Sequence, residues 1–209
     1  DAAKAVDAAD QGLAHKARFL QASALTAMKQ HEAAAAIYDA EAARLLSSER
    51  KAGIAQVYID IAEELSALPA PEALTAPQPD YGKAADFYLK ELELEVESSL
   101  RMELEFRRAR MLQLAGDPHQ AAGMFRQLLE NWDNARRTRN GLEPVEAGLP
   151  TLPQERAMLV RFYLAQAMLD SGDPAGARNL TGEITGAAGG ELAAAALLLN
   201  LRSYRFPQS

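Results

Sequence analysis

Small and apolar residues return every three or four positions along most of the chain, the period of one buried helical face rather than of a strand. Two stretches repeat this pattern in the same register. One reads Phe106, Ala109, Leu112, then Ala121 and Phe125; the other reads Phe162, Ala165, Met168, then Ala177 and Thr181. Each is broken at the same place by Gly-Asp-Pro, in "LAGDPHQAAGMF" (Leu114–Phe125) and "LDSGDPAGARNL" (Leu169–Leu180). Gly116 and Gly172 suit the left-handed conformation that ends a helix. Asp117 and Asp173 can then accept the free N–H groups of the next helix. Pro118 and Pro174 fit its first position, where no N–H is needed. Stop, cap and restart in three residues predicts the tight turn of an antiparallel helix pair.

The same template fits Phe19, Ala22, Leu25, Ala34 and Tyr38, although the turn "MKQHE" (Met28–Glu32) lacks the glycine. A further copy begins at Ile59, Ala62 and Leu65 and resumes at Ala85 and Tyr88 after an insertion; a half copy is Leu192, Ala195 and Leu198. Small residues let helices approach closely, and the aromatic on the second helix fills the gap between neighbours. Helices are expected near 2–28, 31–47, 52–68, 81–98, 100–115, 118–133, 154–171, 174–186 and 191–204. Tyr81, Ala85, Tyr88 and Leu92 mark a buried stripe on the fourth. Two linkers should interrupt the series: the proline-rich "LPAPEALTAPQPD" (Leu68–Asp80) and the long "DNARRTRNGLEPVEAGLPTLP" (Asp133–Pro153). The latter is unusually long for a helix connection, a mark of function or mobility. Thr151 with Gln154 looks like a capping box that restarts the chain.

Composition agrees with an all-α chain: it is rich in Ala, Leu, Glu, Arg and Gln, and β-branched runs are nearly absent. Its 209 residues, 48% hydrophobic, suffice for one domain spanning 1–209. A net charge of −7 disfavours general nucleic-acid binding. The dense basic cluster Arg136, Arg137 and Arg139 reads as a solvated loop. Without cysteine there is no thiol chemistry or disulfide. The longest apolar run, Leu192–Leu201, is too short to span a bilayer, so no membrane insertion is expected. The compartment stays open, and the Ala- and Leu-rich composition points to a bacterial source. A start at Asp1 rather than methionine is expected of a piece of a larger polypeptide. No phosphate-binding loop, H-E-x-x-H, Glu-x-x-His or G-x-S-x-G motif occurs. Glu91, Glu93, Glu95 and Glu97 read as a solvated helix face. No catalytic constellation, cofactor site or metal site is expected.

The register of "ARMLQLAGDPHQAAGMFRQLL" (Ala109–Leu129) and "AQAMLDSGDPAGARNL" (Ala165–Leu180) resembles the tetratricopeptide repeat. That family carries a small residue, a large apolar residue three later, and Ala-x-x-x-aromatic in the second helix. The resemblance implies a stack of helix pairs, an α-solenoid, whose first helices line a concave wall that receives a peptide, an extended segment or a partner helix. On this template Ser23, Glu63, Arg110 and Gln166, each following the small alanine, should face the groove. Phe19, Ile59, Phe106 and Phe162, three positions before the alanine, line it too, or else pack in the core. Arg107, Arg110 and Glu63 would orient the partner, unless Arg110 is a surface charge paired with Glu103 or Asp117. The Lys and Asn positions by which some members grip a terminal carboxylate hold Phe19, Ser23 and Phe106, so that specificity does not carry over. The expectation is a non-catalytic scaffold for a protein or peptide partner, other domains of the same polypeptide included. The alternative is a peptide- or small-ligand-sensing domain, with a closed pocket of convergent polar groups.

Overall fold

The computed structural model describes residues 2–42, 48–69, 78–94, 98–139 and 154–205. Among these it is all-helical. The helices are α1 (Ala2–Ala27), α2 (His31–Ala42), α3 (Ser48–Ser66), α4 (Tyr81–Leu92), α5 (Ser98–Leu114), α6 (Pro118–Arg139), α7 (Gln154–Asp170), α8 (Pro174–Ala187) and α9 (Gly190–Ser203). Most bounds fall within a few residues of expectation. Helix α4 is shorter, closing at Leu92 where 98 was expected. Helix α6 is longer, so Arg136, Arg137 and Arg139 stand on a helix and not in a loop; their side chains lie outside the described residues. So do most of the two linkers, the Thr151 capping box, Glu95 and Glu97.

The repeated tripeptide does what its chemistry predicts. Gly116 and Gly172 take φ of +90° and +88°. The Asp117 N–H donates to the Leu112 carbonyl at 2.9 Å and Gly116 to Gln113 at 3.2 Å. Asp173 and Gly172 repeat this with Met168 and Leu169, satisfying carbonyls that the helix end would otherwise strand. The Asp117 carboxylate accepts from the Gln120 N–H at 3.0 Å, and Asp173 from Gly176 at 2.8 Å. The first turn reaches the same geometry without glycine. Lys29 adopts φ of +63°, and Gln30 donates to the Leu25 carbonyl at 2.9 Å. A β-carbon in that region costs about 1–2 kcal/mol, so the surrounding packing imposes the turn.

Each helix packs on the next in sequence across most of the chain, and α7 additionally touches α5 and α9. The template's small residues explain the closeness: Ala22, Ala62, Ala109 and Ala165 on α1, α3, α5 and α7 are wholly buried. Ala34, Ala85, Ala121 and Ala177 are buried on α2, α4, α6 and α8, each followed on its own helix by buried Tyr38, Tyr88, Phe125 or Thr181. Thr181 replaces an aromatic by sending its hydroxyl to the Ala177 carbonyl at 2.9 Å, so its one polar group is satisfied. The buried side chains form two clusters, one over α1–α5 and one over α5–α9. Helix α5 belongs to both: Leu104 faces the first, and Met102, Phe106 and Ala109 face the second.

Candidate functional site

The positions after the template alanines escape the core, because a residue next to a buried one is turned about 100° around the helix. Ser23 and Glu63 are exposed; Arg110 and Gln166 are half-buried. Of these, Glu63 on α3 joins Glu103 and Arg107 on α5 and Arg156 on α7 in a ladder of charges. The Arg107 guanidinium donates from Nη1 to Glu63 Oε1 at 2.6 Å and from Nε to Glu103 Oε1 at 3.1 Å. Glu103 also accepts from Arg156 on α7. Burial works against the Arg107 charge, yet Glu103, Tyr88 and Glu63 outweigh it and raise its pKa above the ordinary value.

Beneath the ladder lies an aromatic group. Phe106 is only 8% exposed and packs on Phe125 and Tyr163, with ring centres at 6.0 and 5.8 Å. The Arg156 guanidinium covers the Phe106 ring at 4.1 Å, so Phe106 is a core side chain under a cation and not an open groove contact. Phe162 remains half-buried and meets Tyr163 edge-on at 5.4 Å. Arg110 stacks over Tyr163 at 3.7 Å and donates to Gln113 Oε1 at 2.5 Å. It pairs with neither Glu103 nor Asp117, which are engaged elsewhere. Burial lowers its pKa, and among the described residues no carboxylate pairs with it.

The expected site residues therefore divide. Glu63, Arg107, Phe106, Arg110, Phe162 and Gln166 belong to neighbouring first helices. Phe19 and Ser23 gather at the other end around Tyr38: the rings of Phe19 and Tyr38 are 5.5 Å apart, and Ser23 Oγ is 3.4 Å from the Tyr38 hydroxyl. Three members of the ladder group were missed: Glu103, Arg156 and Tyr163. A signal existed. The ion pairs Glu63–Arg107 and Glu103–Arg156 span 44 and 53 positions. The matching template intervals, Ile59 to Phe106 and Phe106 to Phe162, are about one helical turn longer. Partners thus sit one turn ahead of the equivalent residue on the next helix.

The largest departure is Glu91. Expected on a solvated face, it is wholly buried, with no hydrogen-bond partner for either carboxylate oxygen among the described residues. It stands on the buried stripe of α4 with Ala84, Phe87 and Tyr88. Burial pushes its carboxyl up to about 7, opposed by the nearby Arg107 charge. At neutral pH a large share of it is therefore un-ionised, which limits the cost of burying an unpaired carboxylate.

On another flank, α4, α5 and α6 enclose a cleft of about 280 Å³ where Arg101, Glu105 and Arg108 stand over Leu89, Leu92 and Met124. Arg101 donates to the Leu92 carbonyl at 3.1 Å and lies 3.8 Å from Glu105, whose pKa burial raises. Arg108 Nε is buried with no partner among the described residues. Those residues also contain no cluster of three or more His, Asp or Glu side chains able to hold a metal. Nor do they include a helix long and apolar enough to cross a membrane. The chain matches no protein-family model, no curated protein and no solved structure.

Proposed function

We propose that the chain is a non-catalytic interaction scaffold. In this reading it is a short tetratricopeptide-like stack whose first helices, α1, α3, α5 and α7, form a concave wall for a peptide, an extended segment or a partner helix. One observation carries it: on a wall where Arg107 and Arg156 are already paired with Glu63 and Glu103, Arg110 has no carboxylate partner among the described residues. Its stacking on Tyr163 holds the guanidinium in one orientation, and half-buried Phe162 and Gln166 stand on the adjoining helix. A held cation beside apolar surface suits a segment that brings an acidic or carbonyl group next to an apolar side chain. The closed pairs Glu63–Arg107 and Glu103–Arg156 act as rails that fix helix spacing, rather than as contacts for the partner.

The test is capture of binding proteins from source-cell lysate with the chain as bait, beside Arg110→Gln and Phe162→Ala. A partner retained by the parent chain and weakened at least about tenfold by both variants, with the fold retained and melting unchanged for Arg110→Gln, is the expected result. Binding untouched by either variant would move the contact off this wall. A second reading, a small-ligand sensor, is favoured by the cleft at Arg101, Glu105 and Arg108, near the lower size of ligand pockets. It predicts that a small anionic ligand raises the melting temperature and that Arg108→Gln abolishes the rise.

A further inference from the structure

Helix α9 has one face in the core and another whose leucines stand exposed among the described residues, with Arg178 reaching only the Tyr204 ring at its end. Ala196, Leu199 and Ser203 point inward, and Asn200 donates to Thr181 Oγ1 at 2.8 Å, so the orientation of the helix is fixed by contacts with α8. The opposite side carries Leu197, Leu198, Leu201 and Tyr204, exposed by 55%, 64%, 57% and 66%. A single exposed leucine is ordinary, but these share one helical face through their spacing of one, three and three. The template placed Leu192, Ala195 and Leu198 inward, but the helix is turned by one position: Ala196 and Leu199 are buried, Ala195 is half-buried and Leu198 is exposed.

The charges around this face are ordered end to end. Glu191 stands exposed in the first turn, Arg202 in the last and Arg205 just beyond. None of the three has a charged partner among the described residues. We infer that the outer face of α9 docks a second copy of this chain through antiparallel pairing of the two α9 helices about a two-fold axis. That arrangement packs Leu197, Leu198 and Leu201 against their own counterparts at the centre. It places Glu191 of each copy beside Arg202 and Arg205 of the other, so both ends close with opposite charges. Parallel pairing sets Glu191 on Glu191 and arginine on arginine, which repel. Self-complementarity of this kind is what a two-fold interface requires of one surface patch. The pairing removes on the order of 1,000 Å² in total, at the lower limit for a specific interface. The dimer is therefore a weak one, forming at micromolar concentrations.

Sedimentation of the full 209-residue chain over a range from about 1 to about 200 μM tests this. The expected result is a mass that rises from one chain to two and stops there. Leu198→Glu holds the protein at monomer mass with unchanged melting, since Leu198 lies outside the core. Glu191→Arg weakens association at least about tenfold, and Glu191→Arg combined with Arg202→Glu and Arg205→Glu restores it. A monomer at every concentration overturns the proposal. So does a dimer indifferent to Leu198→Glu, or an assembly that keeps growing, since open-ended growth requires a different, heterologous contact.

Discussion

The two ends of this chain use one register but different physics to hold it. In α1–α4 the helix pairs are pinned by polar contacts. The Glu41 carboxylate is buried against His15 and Arg18, and Tyr58 donates to Asp39 at 2.5 Å. The parallel second helices α2 and α4 are tied twice in the same register, Glu32 to Lys83 and Asp39 to Lys90, each across 51 positions. In α5–α9 the core is aliphatic and aromatic, and arginines cover its rings: Arg156 on Phe106, Arg110 on Tyr163, Arg178 on Tyr204. The turns differ as well, with left-handed Gly116 and Gly172 in one half and a strained Lys29 in the other. The same small-residue template fixes how close helices come, while the means of locking them is free to vary. The amino-terminal half should accordingly respond more strongly to pH and salt than the carboxy-terminal half.

The largest effect is expected from Phe125→Ala, which empties the centre of the second cluster and should cost about 3–5 kcal/mol in denaturant melts. That loss should be the same at low and high salt; a strong salt dependence would break the contrast. Glu91→Gln comes next and sharpens it. Because the folded carboxyl titrates near 7, above its ordinary 4.5, the unfolded chain ionises first and stability falls as pH rises between those values. The substitution should flatten that decline and stabilise the protein above pH 7 by at most about 3 kcal/mol, read from melts across pH 4 to 8. Glu41 has the opposite sign. Burial pushes its pKa up, but hydrogen bonds from His15 and Arg18 outweigh this and hold it below the ordinary value. Its contribution is thus present above the ordinary carboxylate range and lost as pH falls through the lowered pKa. Tyr58→Phe should cost about 1 kcal/mol by removing the bond to Asp39, and hydrogen exchange should show the loosening confined to α2–α4. Smallest is a gain: Lys29→Gly should stabilise by about 1 kcal/mol, whereas glycine already occupies the equivalent turns in the other half. A destabilised Lys29→Gly variant would show that the lysine contributes more through its contact with Glu64 than its backbone costs.

Much of the local architecture was legible because it depends on short-range chemistry. A Gly-Asp-Pro turn needs only its own residues and the helix end before it, so both copies took the expected geometry. An alanine at the template position marks close approach whatever the neighbour is, and in the four paired copies these alanines are buried; in the half copy Ala195 is only half-buried and its neighbour Ala196 takes the inner place. Glu91 could also have been found, since it follows Ala84 by two turns on the same face; reading the glutamates by their alternation obscured it. The pairs Glu63–Arg107 and Glu103–Arg156 were not legible as partners, although Glu63 and Arg107 were picked out singly.

Helical period and turn chemistry are properties of consecutive residues, and the sequence by itself determined them: the helices of the described residues, the Gly-Asp-Pro turns between them, and the buried face of most helices. Which side chain meets which across two helices depends on the tilt and offset with which those helices stack. That geometry is the joint result of packing across all the pairs, and no single segment encodes it. Only the tertiary structure decided that Arg107 closes on Glu63, that Phe106 lies beneath Arg156, and that the outer face of α9 is left uncovered.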